Sequence, residues 1–402
     1  LFSGRQLGGV LFFNAILFSL SLVFFSFHVS KKFGRLAGFL SGLVVMLLPF
    51  FIFSARNPGN GFTPVLFFLV FLTIIYFYDL NKFNQLKILL LGLLLGIIIS
   101  TLFVYVIILV PILLFLYFLL KNKKMFFLFL IGVFLAFSPL ILFEFKNHFI
   151  MLKNTFVDKS YLSFVNNTNL PNGVKLNKNI FINTFDLIKK MQPYLGINIY
   201  LAIFFLLGSL VWVKRYKERL LILITGISFV ILTLVLRFQY SAHYLLPFLT
   251  IFSFCLLTMI VNNKYKIFIL ITLIILLVFS FPGSYYANAQ RNYSLIKNRV
   301  EKTLAKLPVS KSNKFNVILK RSDNAPTPAG NEYRFFFLIN GYEPQSDFLY
   351  KDSEKLFVFS EESVIDFKNF DTWEMSEFDY SKVKKISHFS SDRKMTIYLL
   401  EK

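Results

Sequence analysis

The sequence predicts an α-helical polytopic membrane protein, with about ten transmembrane helices, followed by a small C-terminal α/β domain. Three observations lead there. Of 402 residues, 56% are hydrophobic and 19% aromatic, with 54 Phe, more apolar surface than a soluble domain can bury. Apolar runs of roughly 17–23 residues recur along the first 283 positions, each long enough to cross a bilayer. After Phe281-Pro282-Gly283 the composition turns polar and strand-like.

The apolar runs place spans near 7–29, 36–54, 62–78, 86–103, 104–120, 125–143, 194–213, 220–236, 244–261 and 266–283. Residues 86–120 form one apolar stretch too long for a single helix, and it divides near Thr101–Tyr105. The net charge of +22 belongs to this part of the chain. From Ser284 onward there are 19 basic and 16 acidic residues, leaving 24 basic against 5 acidic before it. Such an excess reads as a topology signal. A nucleic-acid role would need a basic face on a soluble domain.

Orientation follows from the short loops. Lys31, Lys32 and Arg35 fall in one, Lys82 and Lys87 flank a second, and Lys121, Lys123 and Lys124 make a third. Lys214, Arg215, Lys217 and Arg219 make a fourth, and Lys264 and Lys266 a fifth. With ten spans, all five lie on one side, which the positive-inside rule makes cytoplasmic. The seven lysines of 144–193 argue the other way, but flipping the chain would export fourteen basic residues. Both termini, the turn 56–64, the loop 144–193 and the tail are then outside, in a multi-pass plasma-membrane protein. The chain starts at Leu1 without a signal sequence, and an outside N-terminus predicts one more span upstream.

The turn Pro49–Pro64, PFFIFSARNPGNGFTP, is the informative one. An apolar span ends in Arg56-Asn57 and a Gly/Pro-rich turn. A guanidinium at a membrane face suits an anionic group such as phosphate, although an Arg there can also simply snorkel. The remaining polar candidates sit at the same predicted face: Arg5, Glu144, Lys146, Asn147, His148, Arg237, Gln239, His243 and Tyr244. Glu144 ends SPLILFEFKNH and is the only acid near an outer span end, suited to act as a base or to bond a sugar; pairing with Lys146 is the structural alternative. The loop 144–193 is too long for a plain connection. The sequons at Asn166 and Asn292 are short patterns that recur by chance. One cysteine, Cys255, excludes a disulfide framework, and the four histidines do not cluster, so no cofactor and no metal site is read.

In the tail, residues 291–306 read as an amphipathic helix with Leu295, Ile296, Val300, Leu304 and Leu307 on one side. Strand-like runs follow at Phe315–Leu319, Arg334–Ile339, Leu356–Phe359 and Met395–Leu400, punctuated by Pro326, Pro328, Gly330 and Gly341. The domains are thus 1–283 and 284–402, and the tail offers no catalytic set.

Several segments together carry a resemblance: GRQLGGVLFF, LPFFIFSARNP, LLGLLLGIIISTLFVYVIILVP, SPLILFEFKN, AHYLLPF, EYRFFFLINGYEP and LFVFS. The chain resembles the membrane-embedded glycosyltransferases of the GT-C type, in the protein-mannosyltransferase and aminoarabinose-transferase branch, over nearly its whole length. His243 stands where the family's run has Arg. The resemblance implies a polyprenyl-phosphate sugar donor, an extracytoplasmic glycan, lipid or protein acceptor, and inversion at the anomeric carbon. It also implies an Asp base in an outer loop upstream of Leu1, so the catalytic residue itself is unknown here. A lipid or sugar transporter or flippase is the competing class. Such proteins show repeats and mid-span charges, and neither is visible. A non-catalytic envelope scaffold is a third reading.

Overall fold

In the computed structural model the described residues are 7–56, 63–101, 106–149, 180–212, 215–235, 242–280, 293–307, 309–310, 313–320, 330–346, 349–362, 365–367, 372–392 and 394–402. The chain divides into two compact units, which separate between Pro282 and Gly283.

The first unit is helical. Its elements are α1 (Leu7–Phe33), α2 (Arg35–Leu47), α3 (Pro49–Arg56), α4 (Pro64–Phe77), α5 (Gln85–Thr101), α6 (Val106–Leu119), α7 (Lys123–Lys146), α8 (Ile180–Leu195), α9 (Ile199–Trp212), α10 (Tyr216–Val235), α11 (Ala242–Asn262) and α12 (Lys266–Ser280). By length and composition three stretches can cross a membrane: Phe12–Phe33, Lys123–Lys146 and Leu245–Asn262. The count becomes five if each bent pair, α2 with α3 and the end of α8 with α9, is one span; several shorter apolar helices accompany them. That measure falls short of ten. Of the three, Leu245–Asn262 is 94% buried against 28% and 17% for the others, so α11 is the central helix. The outer helices expose large apolar side chains, including Phe204, Phe268 and Phe279, as expected of a lipid-facing surface.

Two local features depart from the expected spans. The span near 36–54 is bent by 66° between α2 and α3, because Leu48, ahead of Pro49, is extended and a pre-proline residue avoids the helical region. The loop expected over 144–193 is partly helical. Its end forms α8, which buries Leu187, Ile188, Met191 and Leu195 on one face. Residues 150–179, with the Asn166 sequon, lie outside the described residues.

Helices α5 and α7 approach closely through Gly92, Gly96 and Gly132. A Cβ at Gly92 would stand 2.1 Å from the Phe129 carbonyl oxygen, and one at Gly132 would stand 2.3 Å from that of Leu89. Without a hydrophobic drive between helices in lipid, such small residues allow the backbone contact that holds a pair together.

The second unit is a four-stranded sheet with helices. It contains α13 (Tyr293–Lys306), β1 (Phe315–Lys320), α14 (Asn331–Ile339), β2 (Lys355–Ser360), α15 (Trp373–Phe378), β3 (Lys385–Asp392) and β4 (Met395–Glu401). The strand order is β1-β2-β4-β3. β1 and β2 are parallel, and β4 is antiparallel to both β2 and β3. Helices α13 and α14 cover one face through Ile296, Val300, Phe336 and Phe337. The other face packs on Tyr350, Met375 and Phe378.

The strand expected at Arg334–Ile339 is a helix. Gly330 turns the chain at a φ of 56°, and Tyr333, Phe336 and Phe337 then recur at i, i+3 and i+4 on the buried side. β3 was not expected, since KISHFSSD is a half-exposed polar edge strand.

Candidate functional site

The Arg56 turn is held by one buried amide. Asn14, on α1 and 2% exposed, donates from Nδ2 to the carbonyl oxygens of Ser54 at 2.9 Å and Ala55 at 2.7 Å. Its Oδ1 accepts from the Thr63 hydroxyl at 3.3 Å, at the N-cap of α4. One side chain therefore caps the carbonyl end of α3 and fixes the start of α4. Those C-terminal carbonyls have no intrahelical partners, so in an apolar setting the amide does what water would do. Ser54 bonds back to Phe50. Arg56, the last residue of α3, is exposed where a cation is favoured by the helix dipole. Asn57 and residues up to 62 lie outside the described residues.

Glu144 sits in the last turn of α7 and is buried at 7% exposure; Lys146 ends the helix and is exposed. His148 follows at a φ of 54°, and its backbone N–H bonds to Phe145. These three share one helix end. The helix of Arg56 packs mainly on α1, α2, α4 and α8, whereas that of Glu144 packs on α5 and α6. Arg5, Arg237 and Gln239 lie outside the described residues. His243 and Tyr244 open α11, and their side chains are not among those described. Among the described residues no cluster of three or more His, Cys, Asp or Glu side chains could hold a metal ion.

An apolar cleft of about 200 Å³ opens between α9, α10 and α11, lined by Ile203, Leu206, Ile222, Phe229, Phe248 and Phe252. Gly226 lies in its wall, and a Cβ there would meet nothing within 4 Å. The neighbouring Thr225 hydroxyl turns back onto Leu221, so the lining presents no polar group.

The opposite end of this unit holds a network that the sequence reading missed. Asn14 meets Thr63 at one end, and His28 Nε2 meets the Tyr78 hydroxyl at 2.8 Å at the other. Helices α1 and α4 thus run in the same direction, and the two ends are about 21 Å apart for fourteen residues of helix. At the far end, the buried Tyr76 hydroxyl donates to Glu218 Oε1 at 3.1 Å and accepts from Asn262 Nδ2 at 3.0 Å. Arg215 reaches Glu218 and Asn262 at 3.5 Å each. Lys217 Nζ donates to the Tyr78 carbonyl at 3.1 Å, and Lys266 Nζ to that of Phe33 at 2.9 Å. Both close the C-terminal ends of helices, α4 and α1. The signal in the sequence was the set of lysine loops, which gave the face but not the partners.

No protein-family model matches the sequence, and no curated protein matches it either. The fold has a solved counterpart. The crystal structure of ArnT from Cupriavidus metallidurans bound to undecaprenyl phosphate superposes with a TM-score of 0.50 at 10% identity, covering 97% of this chain and 83% of that one. The apo state of the same protein gives 0.35 at 12% identity, over 96% and 82%. The first superposition shows the fold the two chains share: GT-C-like, helical with a small C-terminal sheet. At this identity the likeness is one of fold.

Proposed function

We propose that this chain is a GT-C-type glycosyltransferase that moves a sugar from a polyprenyl-phosphate donor to an extracytoplasmic glycan, lipid or protein. The observation that carries the reading is the superposition over 97% of the chain on a protein crystallised with undecaprenyl phosphate. Two features of this chain support it. The apolar cleft of α9–α11 suits an isoprenoid tail, because its wall offers only dispersion contacts. The Arg56 turn, stapled by Asn14, offers a guanidinium that binds phosphate oxygens while its stem stays apolar.

The chemistry needs few groups. The acceptor hydroxyl attacks the anomeric carbon from the face opposite the phosphate, the C–O bond to phosphate breaks, and its electron pair leaves on the polyprenyl phosphate. The hydroxyl proton passes to a carboxylate base. Glu144, buried in the last turn of α7, would bond sugar hydroxyls or take that proton. Arg56 would neutralise the phosphate as its charge develops. The accompanying topology would be ten spans, with the lysine loops cytoplasmic and residues 284–402 outside, where this domain would bind acceptor.

The test is direct. The chain is purified into vesicles and supplied with an undecaprenyl-phosphate sugar and envelope acceptors. Release of undecaprenyl phosphate with an inverted glycoside is the expected result. Export of intact lipid-linked sugar without cleavage would replace the reading with a flippase.

A further inference from the structure

We propose that the C-terminal unit rests on the bilayer surface through the outward face of α14, with Phe335, Leu338, Ile339 and the adjoining Tyr293 as its contact. The inference does not depend on the transferase reading, because it concerns how this unit meets lipid and no step of the reaction.

Two helices cover the same face of the sheet, and their outward sides differ. That of α13 is polar, with Lys297, Asn298, Glu301 and Lys302 exposed, as a water-facing helix requires. Helix α14 buries Tyr333, Phe336 and Phe337. Its other side carries Phe335, Leu338 and Ile339, which at i, i+3 and i+4 share one face. Leu338 is 48% and Ile339 38% exposed, and Phe335 is half-buried. Rings join this face to the start of α13. Phe335 lies 5.4 Å from Phe336, and Phe336 lies 5.0 Å from Tyr293, itself 42% exposed. The result is one continuous apolar patch with a phenol at its edge.

The place of the patch favours lipid over protein. Helix α12 exposes Ile275, Leu276, Val278 and Phe279, so apolar surroundings reach its last turn, at Ser280. Residues 281–292 separate that end from Tyr293, the first residue of α13, a reach of at most about 45 Å. The chain therefore enters this unit beside the patch, on a tether anchored where the apolar surroundings end. Such a tether holds the face near the bilayer at an effective concentration on the order of millimolar, so a modest apolar area suffices. Tyr beside Phe, Leu and Ile is a composition that settles at a membrane interface, with the ring hydroxyl toward water. A second copy of the unit is the competing occupant. These side chains offer only a few hundred Å², against about 800 Å² per partner in a stable interface.

Photolabelling of the whole chain tests this. It is reconstituted in phosphatidylcholine vesicles that carry a photoactivatable phosphatidylcholine, with its diazirine at the carbonyl end of the acyl chain. After illumination and digestion, lipid adducts are mapped by mass spectrometry. Adducts are expected on Tyr293 and on residues 335–339, many-fold denser than on α15, which packs on the opposite face of the sheet. The variant Leu338→Glu/Ile339→Glu is expected to take about ten-fold fewer adducts there, as two half-buried aliphatic side chains leave the lipid. Adducts no denser on α14 than on α15 overturn the proposal, and so does an unchanged yield in the variant. Amine cross-links from Lys297 to a second copy, lost in the variant, would assign the face to self-association. Cross-links from Lys297 to lysines of the first unit, lost likewise, would assign it to that unit. Either result removes the bilayer as occupant. Pulse proteolysis separates misfolding from lost contact. If the double variant unfolds early, Leu338→Gln alone is read, and it must still lose adducts several-fold.

Discussion

The two ends of the helical unit are built from different materials. At the Arg56 end a neutral amide, Asn14, binds two carbonyls and one hydroxyl, and the cation it positions points outward. At the other end the same helices, α1 and α4, meet α10, α11 and α12 through ionisable groups that answer one another. A membrane protein must satisfy its buried polar atoms internally, and both ends do so. They differ in kind: a neutral amide beside an exposed guanidinium at the first, ion pairs and lysine-capped helix ends at the second. A salt-bridged network spends its charges on structure.

The sharpest way to break this contrast is at Arg56. Arg56→Ala is expected to lower kcat/KM by about 2–4 kcal/mol of transition-state stabilisation, by analogy with the loss of one oxyanion donor. Arg56→Lys keeps charge without the fork and should fall between. Stability should hardly change, since the side chain is exposed. The assay is sugar transfer from a polyprenyl-phosphate donor with insertion verified. Wild-type turnover in Arg56→Ala would make the residue a snorkelling anchor.

The next test sets the ends against each other. Glu218→Leu is expected to cost about 2 kcal/mol, because the Tyr76 hydroxyl loses a buried acceptor while the mostly exposed Arg215 returns to water. Transfer rate in the surviving protein should be unchanged. Asn14→Leu should cost about 1–2 kcal/mol by the same reasoning, yet should also slow transfer, since it frees the Arg56 turn. Thermal melts in one detergent and initial rates give both numbers. Equal effects of the two variants on rate would erase the functional difference between the ends.

Gly226→Leu probes the cleft with a smaller expected effect. The added side chain enters space that is open beyond the Cβ position, so folding should survive. Donor KM should rise several-fold, with kcat nearly constant, as one filled subsite removes uniform binding. An unchanged KM for donors of full chain length would disconnect the cleft from the lipid tail.

The sequence carried some of this and not the rest, for identifiable reasons. The Pro49–Pro64 punctuation marked the turn that ends α3. Asn14 was passed over as one polar residue in an apolar run, although an amide there has to find partners. Tyr76 and Asn262 are 186 positions apart, and periodicity gives no register across such a distance. In the tail, RFFFLI was read as a strand because three consecutive Phe look extended. Its buried positions follow the helical period after the left-handed Gly330. Helix α8 was hidden in a polar, Asn-rich stretch, where Leu187, Ile188, Met191 and Leu195 mark the buried stripe.

The smallest effect expected concerns pH, and it sharpens the contrast by adding the C-terminal unit, whose stability rests on titratable pairs. Burial pushes the Asp392 carboxyl up. The Arg299 hydrogen bond at 2.7 Å and the Lys394 amide outweigh that and hold it below its usual range. Lys355 holds Glu401 low through a hydrogen bond at 2.8 Å. Both carboxyls are depressed in the folded state, so their contribution is present above the unfolded value of about 4 and is lost as pH falls through the folded values. Tyr333 runs the other way. Burial pushes its hydroxyl up to about 12 despite the nearby Arg299, so that contribution is complete below the unfolded value of about 10 and fades as pH rises toward 12. The denaturant midpoint of this unit, followed by pulse proteolysis, should therefore be flat between roughly pH 5 and 9 and fall on both sides. Asp392→Asn should lower the plateau and make the acid limb shallower. An acid limb of unchanged steepness in that variant would show that the Arg299–Asp392 pair does not set it.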